Sequence, residues 1–216
     1  MTAPAEDDPE LLRRAREGDG AALGSLFAQY RDRLRRMVQL RLDSRLQGRL
    51  DASDVLQETF LELARSLPDY VPNPGVPFYV WLRFLAGRKL LALHRHHLGT
   101  KARDAGREIS LHRGALPQAS SVMLAAQLLG RFASPSEAAM RVELQLRIQG
   151  ALNAMEALDR EVLALRHFEQ LSNSETATVL GISDAAASNR YVRALKRLKG
   201  AMADEPGVGA ASRQSG

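Results

Sequence analysis

Apolar residues recur every three or four positions along most of the chain, which is the spacing of helices that bury one face. The pattern is clearest between residues 158 and 199, where Leu158, Val162 and Leu165 mark the buried face of a first short helix. Alternating patterns typical of strands are almost absent. The sequence therefore predicts an all-helical protein.

Start and stop signals divide the same stretch into further helices. Ser172 followed by Glu175 forms a capping box that begins a second short helix, and Gly181 can take the left-handed conformation that ends it. Ser183 can cap a third helix. Two short helices joined by a tight turn, with the small Ala177 at their crossing, predict a helix-turn-helix.

The third helix is predicted to have two different faces. Its expected core residues are Tyr191, Leu195 and Leu198. A second face carries Arg190, Arg193 and Arg197, and Lys196 lies beside them. The first half is small and polar and includes Ser188 and Asn189, so it can enter a major groove while the cations meet phosphates. The alternative is a three-helix core whose basic face is only solvated.

Further helices are predicted in the first half of the chain. One begins near Pro9 and breaks around Gly18, and a long one runs from about residue 21 to 42 with an arginine-rich face. Another follows Asp51. A proline-rich loop over residues 68–77 then leads to a helix that begins at Phe78.

The helix after Asp51 carries an acidic stripe in an otherwise basic protein. Asp51, Asp54, Glu58 and Glu62 share a face separate from its apolar stripe. Acid-base catalysis or a metal site would need groups converging from other elements. Carboxylates at a helix N-terminus complement its dipole, which accounts for the two aspartates. We interpret the remaining stripe, with Gln57, as a docking face for a basic protein partner.

The helix from Phe78 combines aromatic and basic residues. A platform for single-stranded or melted DNA is one interpretation, and a buried role for Phe78 and Trp81 is the other. Its basic residues include Arg83, Arg88, Lys89 and Arg95. The nearby histidines 94, 96 and 97 point in different directions on a helix, so we expect no shared metal ion.

Composition limits the possible classes of protein. The chain has 216 residues, 45% of them hydrophobic, a formal net charge of +5 and no cysteine. The charge favours a polyanionic partner, and the absence of cysteine excludes disulfides and thiolate zinc sites. The acidic N-terminus has no apolar run, and no segment reaches the roughly 18 apolar residues of a spanning helix. We expect a cytoplasmic protein without a cofactor and without membrane insertion.

These elements predict two small domains. We expect an acidic disordered tail over residues 1–9, a helical domain over 10–107, a linker over 108–133 with one short helix, a helix-turn-helix domain over 134–200, and a disordered tail over 201–216. The second domain is expected to begin with a helix capped by Ser134, with Pro135 in its first turn.

The order of these features resembles the extracytoplasmic-function (ECF) sigma factors of bacterial RNA polymerase. The most specific matches are residues 54–60, which read DVLQETF and are similar to the polymerase-clamp-binding motif, and Leu158 to Leu198, which is similar to the promoter-reading domain. The resemblance implies a non-enzymatic initiation factor. Its partners would be core RNA polymerase, promoter DNA and an anti-sigma factor.

The resemblance also implies roles for individual residues. Asp54, Gln57 and Glu58 would contact the polymerase. The −10 element and its melting would involve Trp81, Arg83, Arg88, Lys89 and Arg95. The −35 major groove would be met by Ser188, Asn189, Arg190 and Arg193, with phosphate contacts from Lys196 and Arg197.

Two other classes remain as alternatives. A ligand-responsive helix-turn-helix regulator would bind palindromic DNA as a dimer, but the first domain shows no pattern of an apolar pocket and is basic. A nucleic-acid enzyme would need a catalytic triad, a metal site or a phosphate loop, and the sequence offers no such constellation.

Overall fold

The computed structural model describes residues 8–46, 48–73, 76–98, 118–129 and 138–203, and the regular elements in those ranges are all helical. The α-helices are α1 (Pro9–Arg16), α2 (Gly20–Arg41), α3 (Ala52–Ser66), α4 (Phe78–Leu98), α5 (Ser121–Leu129), α6 (Ala138–Asn153), α7 (Ala157–Leu163), α8 (Asn173–Leu180) and α9 (Asp184–Ala203). A 3₁₀ turn spans Ser44–Leu46, and a π-helical turn over Ala164–Phe168 extends α7. The predicted all-α fold is confirmed.

Aspartates begin several of these helices. The Asp8 carboxylate accepts backbone N–H groups at the start of α1, and Asp19 does the same for α2. At α3, Asp51 and Asp54 form a reciprocal capping box, because each side chain accepts a backbone N–H near the other. Each carboxylate satisfies donors that the first turn leaves without a partner and also interacts favourably with the helix dipole.

The first bundle, which we define as α1 to α4, encloses a core centred on α2. The buried side chains of α2 meet those of α3 and α4 on one side of the helix, and α1 packs against its N-terminal half. The fully buried residues at the centre include Leu26, Tyr30, Leu34, Met37, Leu63, Phe78 and Leu82. The arginines predicted on the other face of α2 therefore remain outside this core.

The second bundle, which we define as α5 to α9, has a core of its own. Ile148 and Leu152 of α6 meet Leu163 of α7 and Leu198 of α9 there. The short helix predicted inside the linker is α5, and it contributes Leu124 and other apolar residues to this core. Burial of that apolar face ties the segment to α6.

The core face of α9 differs from the prediction at one position. Leu195 is 37% exposed, whereas Ala187, Ala194 and Leu198 are buried and Tyr191 is partly buried. The observed stripe follows positions i, i+4, i+7 and i+11, so Leu195 lies one position outside it. Two alanines on the stripe let α9 approach its neighbours closely.

The two bundles are packed against each other. Leu165 and Leu171 of the second bundle are buried in the core of the first, and Leu40 of α2 is buried in the core of the second. The backbone N–H of Ser120 donates to the carbonyl of Leu40 at 2.9 Å. Within the described ranges, none of the helices combines the length and apolar character needed to cross a membrane.

Candidate nucleic-acid and protein interfaces

The helix-turn-helix is formed by α8 and α9, and its turn is closed by the residues that the sequence predicted. Ser172 and Glu175 form both hydrogen bonds of the capping box, and Gly181 has φ 62° and ψ 39° in the left-handed region. The Ser183 hydroxyl accepts the N–H of Ala186 at 3.2 Å. Asn173 adds a link between the helices, because its side-chain amide donates to the carbonyl of Asp184 at 2.8 Å.

The outer face of α9 carries most of the predicted −35 residues. Ser188, Asn189, Lys196 and Arg197 are exposed on it. Arg197 also donates to the backbone carbonyl of Ala154 at 3.3 Å. The exposed side chains thus combine short polar groups in the first half of α9 with cations in the second half.

Arg190 and Arg193 are held by a buried carboxylate of α7. Asp159 is fully buried, and its Oδ1 accepts from Arg190 at 2.7 Å and from Arg193 at 2.9 Å. Arg190 also pairs with the exposed Glu156 at 3.0 Å. Burial alone would raise the pKa of Asp159, but the hydrogen bonds from the two arginines outweigh it and lower that pKa.

The acidic stripe of α3 divides into two parts. Asp51 and Asp54 cap the helix, and the Asp54 carboxylate accepts the Asp51 N–H at 2.8 Å. Glu62 pairs with Lys89 of α4 at 2.8 Å. Gln57 and Glu58 are exposed between these two ends. Leu61, 42% exposed, adds an apolar side chain to the same stretch of α3.

The aromatic residues predicted for the −10 region form a cluster at the start of α4. Trp81 is partly buried, and its ring lies 4.4 Å from that of Tyr70 and 5.5 Å from that of Phe78, centroid to centroid. Phe78 is itself buried, so the core interpretation holds for it. Arg88 and Arg95 are exposed further along α4.

Arg83, predicted to contact the −10 element, lies instead in the contact between the two bundles. Its side chain is 5% exposed, and its Nε donates at 2.7 Å to Glu169, which follows the π-helical turn of the second bundle. In this arrangement of the bundles Arg83 cannot touch DNA. The reason is its position on α4, which turns it toward the other bundle while Arg88 faces solvent.

The histidines of α4 also occupy different surroundings. His94 is buried, and its Nε2 accepts the backbone N–H of Asp43 at 3.4 Å. Burial lowers the pKa of His94. His96 and His97 are exposed and in edge contact with each other. In the part of the chain that the structure describes, no cluster of three or more histidine or carboxylate side chains is arranged to hold a metal ion.

Sequence reasoning missed three residues of these interfaces. Asp159 lies in the first turn of α7, where carboxylates are common because they complement the helix dipole, so the sequence does not single it out. Arg41 and Glu169 carry no local signal. Their side chains meet across the two bundles.

Comparison with known proteins matches each bundle to a region of the Sigma-70 family. The protein-family model described as Sigma-70 region 2 matches residues 26–98, and the family model described as Sigma-70, region 4 matches residues 145–198. The ECF RNA polymerase sigma factor SigD of Mycobacterium tuberculosis is 30% identical over 199 residues, which cover 92% of this chain and 85% of SigD. The ECF RNA polymerase sigma factor BldN of Streptomyces coelicolor is 28% identical, with 91% and 66% covered.

A solved structure shares the fold. CnrH in complex with the cytosolic domain of CnrY is 24% identical to this chain, with a TM-score of 0.52, and the match covers 91% of this chain and 97% of CnrH. The findings confirm the resemblance drawn from the sequence and do not favour a ligand-responsive regulator. The chain belongs to the ECF sigma factors, which bind core RNA polymerase and direct it to promoters to initiate transcription.

Proposed function

We propose that three surfaces of this sigma factor have different partners: the exposed face of α3 binds core RNA polymerase, α9 binds the −35 element, and α4 binds the −10 element. The observation that carries the proposal is the separation of exposed charges. On α3, Asp51 at its cap, Asp54 and Glu58 are exposed, and Arg65 near its C-terminal end is the one exposed cation of that helix, whereas the exposed charged residues of the second half of α4 and of the second half of α9 are cations. An acidic surface is repelled by DNA and suits a basic protein surface, whereas the cationic ones suit phosphates.

The docking surface for core RNA polymerase is the exposed face of α3. Gln57 and Glu58 are its centre, and Leu61 provides apolar contact. Asp54 contributes through its position, although its carboxylate also caps the helix. An exposed apolar residue beside polar groups fits a protein interface better than a solvated face.

The −35 element is read by α9. Ser188 and Asn189 are short enough to approach base edges, and Lys196 and Arg197 neutralise phosphates beside them. Arg193 keeps 48% of its side chain exposed and can reach DNA while bound to Asp159. Arg190, with two carboxylate partners, acts mainly by fixing α9 on α7.

The −10 element is met by α4. Arg88 and Arg95 are exposed and contact phosphates, and Lys89 joins them after leaving Glu62. Trp81 offers the edge of an aromatic cluster for an unstacked base. Arg83 can join this set only if the bundles separate.

The protein acts in the cytoplasm, where its polymerase works, and it has no catalytic activity of its own. CnrH was solved with the cytosolic domain of CnrY. By extension, an anti-sigma protein binds this chain and withholds it from the polymerase.

The docking role is tested by co-elution of the purified chain with core RNA polymerase. Glu58→Arg is expected to abolish co-elution because it reverses the charge at the centre of the docking face. Glu143→Arg makes the same charge change at an exposed position of α6 and serves as the matched control. Equal binding by both variants, with unchanged circular dichroism, would refute the assignment.

The −35 role is tested by transcription with the polymerase already bound. Asn189→Ala is expected to reduce initiation most at promoters with an intact −35 element. Lys196→Ala should weaken all sequences alike and lower the slope of binding against salt by about 1. Equal loss for Asn189→Ala on intact and scrambled −35 elements would remove α9 from base reading.

A further inference from the structure

A buried carboxylate lies directly behind α9, the helix proposed to read the −35 element. Asp159 is in the first turn of α7, and its side chain is 0% exposed. Its Oδ1 accepts from Nη1 of Arg190 at 2.7 Å and from Nη2 of Arg193 at 2.9 Å. Its Oδ2 lies 2.8 Å from Nε of Arg193 but accepts no well-aligned hydrogen bond within the described residues. One carboxylate therefore holds two arginines of α9.

The two arginines differ in how much of each is left free. Arg190 has a second carboxylate partner, Glu156, and its side chain is 26% exposed. Arg193 pairs with Asp159 alone among the described carboxylates, and its side chain is 48% exposed. Because Nε and Nη2 lie against Asp159, the Nη1 group and the second hydrogen of Nη2 remain for another acceptor. Arg193 is therefore held at one edge of its guanidinium and open at another.

The open edge of Arg193 lies beside the residues proposed to meet DNA. Arg193 follows Asn189 by four positions and precedes Lys196 by three, so the three side chains share one side of α9. Asn189 and Lys196 are exposed on that side. Asp159 thus fixes a side chain that lies between a short polar residue suited to base edges and a cation suited to phosphates.

Fixing an arginine changes what it can recognise. A free arginine can follow whichever phosphate is nearest, and such a contact adds affinity without sequence information. A guanidinium held in one orientation presents two parallel N–H groups at a fixed place, and these match O6 and N7 of guanine. Ordering the side chain before DNA arrives also removes part of the entropic cost of binding.

We propose that Asp159 is a positioning residue for promoter recognition, which holds Arg193 so that the open edge of its guanidinium reads one guanine of the −35 element. Asp159 touches no DNA itself, because it is buried beneath α9. Since it neutralises cations that would otherwise bind phosphates, it lowers general affinity for DNA while it raises selectivity. The inference deepens the proposed −35 role of α9 and rests on it.

A positioning role and a purely structural role predict different changes in binding. If Asp159 only fastened α9 to α7, Asp159→Asn would weaken binding to every DNA sequence. If Asp159 positions Arg193, the same change releases a cation toward phosphates. Holoenzyme with Asp159→Asn should then bind DNA with a scrambled −35 element as tightly as the unchanged chain or more tightly, with a steeper dependence on salt. Weaker binding to scrambled DNA would overturn the positioning role.

Templates with a randomised −35 segment measure selectivity position by position. Core polymerase with the full chain initiates from one of its promoters carrying that segment, and barcodes in the transcripts report which segments were used. The unchanged chain should prefer guanine at one position by at least about five-fold. Asp159→Asn should lose most of that preference and keep those at other positions. Glu156→Gln removes the same charge from an exposed partner of Arg190 and should keep the whole pattern.

Arg193→Lys separates positioning from stability, with all variants compared at a temperature where circular dichroism shows them folded. Lysine keeps the charge but lacks the paired donors of a guanidinium, so it should lose the guanine preference by itself. Asp159→Asn should then remove no more of that preference. A further loss in the Arg193→Lys background would show that Asp159 acts by another route and would overturn the proposal.

Other results have equally definite meanings. The proposal fails if Asp159→Asn keeps its guanine preference, if it loses preference equally at all positions, or if the unchanged chain prefers other bases but never guanine. If the unchanged chain shows no preference anywhere in the −35 segment, the proposed −35 role of α9 fails instead. The two failures are therefore distinguishable.

Discussion

Asp159→Asn is expected to destabilise the second bundle by about 1–2 kcal/mol. Asp159 is fully buried, with Arg190 at 2.7 Å and Arg193 at 2.8 Å. A hydrogen bond to a charged group contributes about 1.5–3 kcal/mol. The arginines are 26% and 48% exposed, so water replaces part of each interaction, and asparagine retains one acceptor oxygen. The lower figure follows from these two reductions.

Urea unfolding followed by two signals can show which bundle loses stability. The single tryptophan, Trp81, lies in the first bundle, so its fluorescence reports on that bundle, whereas far-ultraviolet circular dichroism reports on all helices. Asp159→Asn should shift the circular dichroism transition to lower urea more than the fluorescence transition. Glu156→Gln is the matched control, because Glu156 pairs with the same Arg190 but is 59% exposed. We expect it to cost less than about 0.5 kcal/mol.

Two results would refute this reasoning. Equal costs for Asp159→Asn and Glu156→Gln would mean that burial of the carboxylate does not determine its contribution. A larger shift in Trp81 fluorescence than in circular dichroism would mean that the carboxylate stabilises the first bundle instead.

Three further changes probe local features. Gly181→Ala should lower the free energy of unfolding in urea by about 1–2 kcal/mol, because φ is 62° at that position and a residue with a Cβ is strained there. Gly200→Ala in α9 is the control and should not lower it, because a Cβ there meets open space. Ser172→Ala should cost about 1 kcal/mol by removing the cap of α8, and an unchanged transition midpoint would contradict this. Unfolding should become easier as pH falls below 6.5, the ordinary pKa of His94, because burial lowers that pKa and the unfolded state binds the proton more readily. His94→Gln should reduce this pH dependence, and an unchanged dependence of stability on pH would show that His94 is not the group responsible.

The elements of this fold were predictable where their signals are local. Ser172, Glu175 and Gly181 lie within ten positions of one another, and their side chains or backbone act on neighbouring N–H and carbonyl groups. The apolar stripes of α2 and α3 are local in the same sense. Such features need no knowledge of what packs against a helix, so the sequence alone carries them.

The contact between the bundles was not predictable because it joins distant residues. Arg41 and Glu169 look like ordinary surface charges in the sequence, and charged residues are usually exposed. Leu195 was also predicted incorrectly for this reason. The buried stripe of α9 passes through Ala194 instead of Leu195, and that choice depends on how closely the neighbouring helices approach, which the sequence does not show. The role of Arg83 depends on which state of the two bundles is considered.

The π-helical turn over Ala164–Phe168 has a consequence for how this contact can be gained or lost. A π turn accommodates one residue more than an α-helical turn, and each residue rotates a helix by about 100°. Glu169 directly follows the turn, and Gln170 then has φ 61°, unusual for a residue other than glycine. Deleting one residue here would restore α-helical geometry and rotate Glu169 away from Arg41 and Arg83. The same deletion would also rotate Phe168, which is buried in the core of the second bundle, so these ion pairs cannot be lost by this route without disturbing that core.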